Sequence, residues 1–150
     1  MAARGFTFVE ILLVLAVGGL LVAIVLPAVE QYVEKSRRVQ AALDVADMSA
    51  KIKQQEKSSG ALPNTLADAG YGGKLDPWGR PYEFWNLRTS TGNGQGRRDK
   101  KLAPLNSDFD LYSVGRDGLT QASLGHASSR DDLVRARDGG FIGTAEEFDP

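Results

Sequence analysis

Cysteine is absent from this 150-residue chain, which removes disulfides and thiolate metal sites together. Histidine is almost absent as well. The single one, His126, lies in a Ser/Gly/Ala-rich stretch with no nucleophile beside it, so an imidazole-based acid–base or nucleophilic centre has no second member. There is no Walker-type phosphate loop and no H-E-x-x-H pair. Asp108 and Asp110 imitate the start of an EF-hand, but the Asp/Asn-Gly and the distal Glu that such a loop needs do not follow. A bias of charge is missing too. Eighteen Lys and Arg against 19 Asp and Glu leave a net charge of −1, which points to neither nucleic acid nor an acidic partner. With no catalytic constellation in view, the chain reads as a non-enzyme.

What is present is a membrane-length apolar run with one acid near its head. Phe6 to Val29 is about 24 residues, or about 36 Å of helix, enough to cross a hydrocarbon core of about 30 Å. Glu10 stands inside it, and a carboxylate in such a span calls for a partner or a reason. A secretory signal is a poor fit, because Leu26 stands where the small-residue rule for cleavage after Ala28 wants a small side chain. A plain single-span anchor fits the length and leaves Glu10 unexplained. A cut between Gly5 and Phe6 accounts for both the small residue and the acid that follows it.

Gly5-Phe6-Thr7-Phe8-Val9-Glu10-Ile11-Leu12 resembles the processing site of type IV pilin-like proteins, the signal cut by prepilin peptidase. The resemblance implies a leader of residues 1–5 and a mature, N-methylated Phe6. It also puts a glutamate at the fifth mature position, which Glu10 occupies. Physically, a freed amine at Phe6 and the Glu10 carboxylate would each relieve the other's desolvation in lipid. The i,i+4 spacing allows that pair within one helix. Between staggered subunits, as the resemblance implies, the same pair would set filament register.

Beyond Val29 the apolar run becomes amphipathic without a break. Tyr32, Ser36, Val39, Leu43, Ala46 and Ala50 form one helical stripe, expected to pack on the globular domain, with Glu34 and Arg38 spaced as a surface pair. One helix is predicted from about Phe6 to Lys57: a membrane half over 6–29 and an amphipathic half over 30–57. Pro27 and Gly18-Gly19 should kink or loosen the membrane half. Residues 58–150 leave room for one modest domain.

In that domain Thr65–Ala69 predicts a short helical turn, and Tyr82–Leu87 and Phe109–Val114 predict strands. Between the strands Arg88–Lys101 reads as an exposed hairpin loop. Its basic residues Arg97, Arg98, Lys100 and Lys101 would be solvated, or less readily would meet an acidic surface. The tail from Leu119 shows little regular periodicity. The expected fold is therefore α+β: a long N-terminal helix packed on a small antiparallel sheet, with a loop-rich C-terminal region.

Asp76-Pro-Trp-Gly-Arg-Pro-Tyr82 and Ser107–Gly118 resemble motifs of the major pseudopilin of type II secretion systems. That resemblance implies a single-pass subunit of the bacterial inner membrane with its domain in the periplasm. The subunit would polymerise with itself and with minor pseudopilins on an inner-membrane assembly platform, after contact with prepilin peptidase and membrane lipid and without nucleic acid. A type IV pilus pilin or minor pilin, for adhesion, motility or DNA uptake, is the alternative. Many such pilins close the C-terminal region with a disulfide, which this chain cannot form. Hard oxygen donors gathered in the tail suit calcium. The resemblance implies a calcium site there, with Asp117, Asp131 and Asp132 as side-chain ligands and Val114 as a carbonyl ligand.

Overall fold

The computed structural model of the chain describes residues 5–89 and 96–148, so residues 1–4 of the expected leader and residues 90–95 of the expected hairpin loop lie outside the described residues. The chain divides into two units, Met1–Ser36 and Arg37–Pro150.

Helix α1 spans Phe8–Ser59, with Gly18, Gly19 and Pro27 inside it and no break at any of them. From Phe8 to Ser36 its residues are exposed except for the half-buried Glu34, and the helix is long and apolar enough to cross a membrane. The helix stops where Gly60 adopts φ +77° and its amide donates to the Glu56 carbonyl (2.8 Å), the left-handed cap that glycine accepts without strain.

In the second unit α1 meets a four-stranded antiparallel sheet in the order β1 (Glu83–Asn86), β2 (Phe109–Ser113), β3 (Leu133–Ala136), β4 (Phe141–Thr144), followed by a single helical turn α2 (Ala145–Phe148). Side chains alternate across the strands. Phe109 and Leu111 of β2 and Leu133 of β3 join Ala41, Val45, Met48 and Ile52 of α1 in the main core. Val134 and Ala136 face the other way, into a smaller core with Leu105, Leu124 and Ala145.

Three expectations are corrected. First, α1 buries Ala41, Val45, Met48, Ser49 and Ile52, not the stripe through Tyr32, Val39 and Leu43. Leu43 is 60% exposed, and Ala46 and Ala50 are exposed as well. At about 100° per residue the two stripes lie on opposite faces of the helix. Second, the tail, loop-rich as expected but without a readable period, also supplies β3, β4 and α2. Every residue of β3 is buried, so the strand has no polar–apolar alternation to read. Third, Thr65–Ala69 closes as hydrogen-bonded turns, not as a helix, with Thr65 and Asp68 capping each other (Thr65 N to Asp68 Oδ2, 3.0 Å; Asp68 N to Thr65 Oγ1, 3.2 Å).

Candidate functional site

At the head of α1, Gly5 is open on all sides, and Phe6 is 79% exposed. Thr7 and Glu10 cap the helix reciprocally: the Glu10 amide donates to Thr7 Oγ1 (3.2 Å), and the Thr7 amide donates to Glu10 Oε2 (3.4 Å). This is a capping box, and it supplies partners for backbone donors that the first turn leaves orphaned. A carboxylate here also meets the positive end of the helix dipole. A lone acid in an apolar run points to a charge partner, and the Thr-x-x-Glu spacing ahead of that run is the signal for the cap.

The Asp76–Tyr82 turn is a joint between α1 and the sheet. Asp76 Oδ1 accepts from the amides of Trp78 (3.0 Å) and Arg80 (2.8 Å), and its Oδ2 accepts from Ser113 Oγ. Arg80 Nη1 donates to the carbonyls of Gly115 (2.7 Å) and Arg116 (3.1 Å). A Cβ on Gly118, whose φ is +72°, would lie 2.5 Å from that guanidinium, so the two sequence motifs interlock and glycine is required at their contact. Tyr82 Oη donates to Asp44 Oδ2 of α1 (2.9 Å), and Lys74 Nζ donates to Asp44 Oδ1 (2.8 Å).

A second joint is charged and buried. Arg135 of β3 forks onto Asp108 (2.8 and 2.9 Å), donates through Nε to Ser49 Oγ of α1 (2.8 Å), and stacks 4.0 Å from the Phe109 ring centre. Lys53 of α1 reaches Asp108 Oδ2 at 2.7 Å. Burial would raise the Asp108 carboxyl, but Arg135, Lys53 and the Phe109 amide together hold it well below the usual carboxylate range.

The predicted basic loop divides in two. Arg98, Lys100 and Lys101 are exposed, but Arg97 is 4% exposed, which corrects its reading as a solvated loop residue. Its guanidinium donates to Asp132 Oδ2 and to Thr120 Oγ1 and lies 4.2 Å from the centre of the Tyr112 ring. Burial pushes the Asp132 carboxyl up to about 6 even with Arg97 beside it, so at neutral pH it is ionised and paired.

The predicted calcium donors point to different partners. Asp131 Oδ2 accepts from the Asp117 amide (3.0 Å), which brings these two residues together. Asp117 Oδ1 accepts from the Leu119 amide (2.7 Å), while Asp132 is turned into the Arg97 and Thr120 contact. Among the described residues no three Asp, Glu, His or Cys side chains are placed to hold a metal together. The donors are of the right chemical kind for calcium, but as arranged they do not fit an ion shared by all three. His126 spends its ring on a local turn, with Nδ1 at 2.7 Å from Ser128 Oγ.

No family model matches the chain, and no solved structure matches it. Curated relatives do. It is 40% identical over 135 residues to fimbrial protein Q of Moraxella bovis, covering 87% of this chain and 74% of that protein. It is 29% identical over 136 residues to type II secretion system core protein G of Pseudomonas aeruginosa, covering 76% of this chain and 84% of that protein. With the fimbrial protein of Neisseria meningitidis the identity is 22% over 140 residues, covering 90% of this chain and 80% of the relative.

Proposed function

This chain belongs to the type IV pilin-like family, and from that premise we propose that it is a structural subunit of a type II secretion pseudopilus. The observation that carries a filament role is the uncovered apolar surface of α1. Among the described residues nearly all exposed large hydrophobics lie on or beside this helix, from Phe6 to Leu43. Such a surface needs lipid before assembly and neighbouring helices after it.

In this reading prepilin peptidase cuts between Gly5 and Phe6, and Phe6 is N-methylated. The Phe6 amine then pairs with Glu10 and sets the register between subunits. The chain spans the inner membrane once, with its globular domain, residues 58–150, in the periplasm. It polymerises with itself and with minor pseudopilins on an assembly platform, and the growing filament moves secreted proteins outward. The Asp76–Tyr82 motif, the absence of cysteine and the core protein G relative support secretion over a pilus. Fimbrial protein Q, at 40% identity, supports the alternative of a type IV pilus pilin.

Complementation separates the two. The full chain is expressed in a secretion-competent bacterium whose own major pseudopilin gene has been deleted. Restored export of its secreted enzymes is expected. Surface pili without export would favour the pilus reading, and neither outcome would reject both. Mass spectrometry of the membrane-extracted protein should show a methylated N-terminus at Phe6; a chain beginning at Met1 would remove the processing step.

A further inference from the structure

In the C-terminal region Asp132 is fully buried, and a cation of the chain's own lies against it. We propose that the Arg97 guanidinium closes this region in place of a bound metal ion, so that its stability does not depend on calcium.

Arg97 is fastened before its side chain acts. Its amide donates to Asp110 Oδ2 (2.6 Å), and its carbonyl accepts from the Leu105 amide (2.7 Å). Next to it, the Arg98 amide donates to the Ala122 carbonyl (2.9 Å), and the Leu124 amide donates to the Arg98 carbonyl (2.9 Å). The segment leading into β2 thus runs as a short parallel bridge beside the tail. From that anchored backbone the guanidinium reaches Asp132 and Thr120 and covers the Tyr112 ring. Thr120 Oγ1 donates to the same Asp132 oxygen (2.6 Å). Asp132 in turn holds the end of the sheet, since its carbonyl accepts from the Ala145 amide (2.8 Å). One planar cation therefore ties together the loop before β2, β2 itself, the early tail, and the start of β3.

Calcium would ask for six to eight oxygens around one point. Here Asp132 has given Oδ2 to the guanidinium, and Asp117 and Asp131 are turned to backbone amides. An arginine stays charged at any pH the protein meets and cannot be chelated away. Arg97 Nε and Asp132 Oδ1 are the two buried polar side-chain atoms without a hydrogen-bond partner among the described residues.

Thermal melts of the full-length chain in detergent micelles, followed by near-UV circular dichroism, test this with calcium and with excess chelator. The wild-type midpoint should be the same in both, and a rise in calcium would overturn the proposal. Arg97→Met keeps the bulk and loses the charge, so its midpoint should fall by at least about 5 °C, with Arg97→Lys in between. A midpoint for Arg97→Met equal to wild type would also overturn it. If Arg97→Met does not fold, the wild-type comparison and Thr120→Val still decide, the latter melting below wild type. Filament assembly enters none of these readouts, so the outcome is independent of the secretion reading.

Discussion

Two side chains show how one residue serves local structure and function together. Glu10 closes the capping box with Thr7 and, in the proposed filament, pairs with the Phe6 amine. Glutamine can complete a capping box but carries no charge. Glu10→Gln should therefore leave helix content and membrane insertion unchanged while filament yield in a cross-linking assay collapses. Normal assembly of Glu10→Gln would reduce Glu10 to a cap. Arg135 is the second case. Removing it leaves Asp108 buried with Lys53 as its remaining cation, and breaking a buried pair in this way costs about 3–5 kcal/mol. Arg135→Ala should lose about that much in urea unfolding, whereas a surface pair would lose less than about 1 kcal/mol. Neither residue's full environment was open to a linear reading. The cap lay within four residues and was legible; the Arg135 contacts bring Ser49 and Asp108 from far along the chain.

At the scale of elements, α1 carries two apolar stripes on opposite faces, and periodicity alone cannot rank them. The buried one, through Ala41, Val45, Met48 and Ile52, meets Phe109, Leu111 and Leu133. Ile52→Ala should cost about 2–5 kcal/mol in unfolding free energy, since it opens a cavity in a packed core. Leu43→Ala, at a site 60% exposed, should stay within about 0.5 kcal/mol. Equal effects would mean that the faces are assigned the wrong way round. The strands follow the same logic. Strand β2 was legible because Phe109 and Leu111 alternate with polar neighbours, whereas β3 is buried on both faces and its Arg135 reads as a surface residue until its partners are known.

For the whole molecule, acid response follows from carboxylates shifted in opposite directions. In the folded chain Asp108, Asp44 and Glu56 sit below their ordinary values: burial opposes this, and their Arg, Lys and Tyr partners outweigh it. The unfolded chain then binds more protons, so the stability from these groups is complete above about pH 5 and is lost as pH falls below about 4. Burial shifts Asp110 and Asp132 upward, the latter to about 6, so their protonation between about pH 6 and 4 favours the folded state. The urea midpoint should hold or rise from pH 7 to 5 and then fall steeply below about 4. Asp108→Asn should flatten that acid limb, and a midpoint that declines steadily from pH 7 would contradict the assignment.

What the sequence determined by itself was everything carried by short-range pattern. The apolar run, the small residue before it, the placed glutamate, the turn at Asp76–Tyr82 and the strands at β1 and β2 depend on neighbours a few residues apart. These were enough for the α+β class and for the family. The tertiary structure decided which face of α1 is core, that the tail completes the sheet, and that Arg97 leaves the solvent to join Asp132. Each of these is a choice among residues that look alike in the linear chain. Which apolar stripe or which arginine is buried depends on the partner brought against it, and the Arg97 and Asp132 partners stand 35 residues apart.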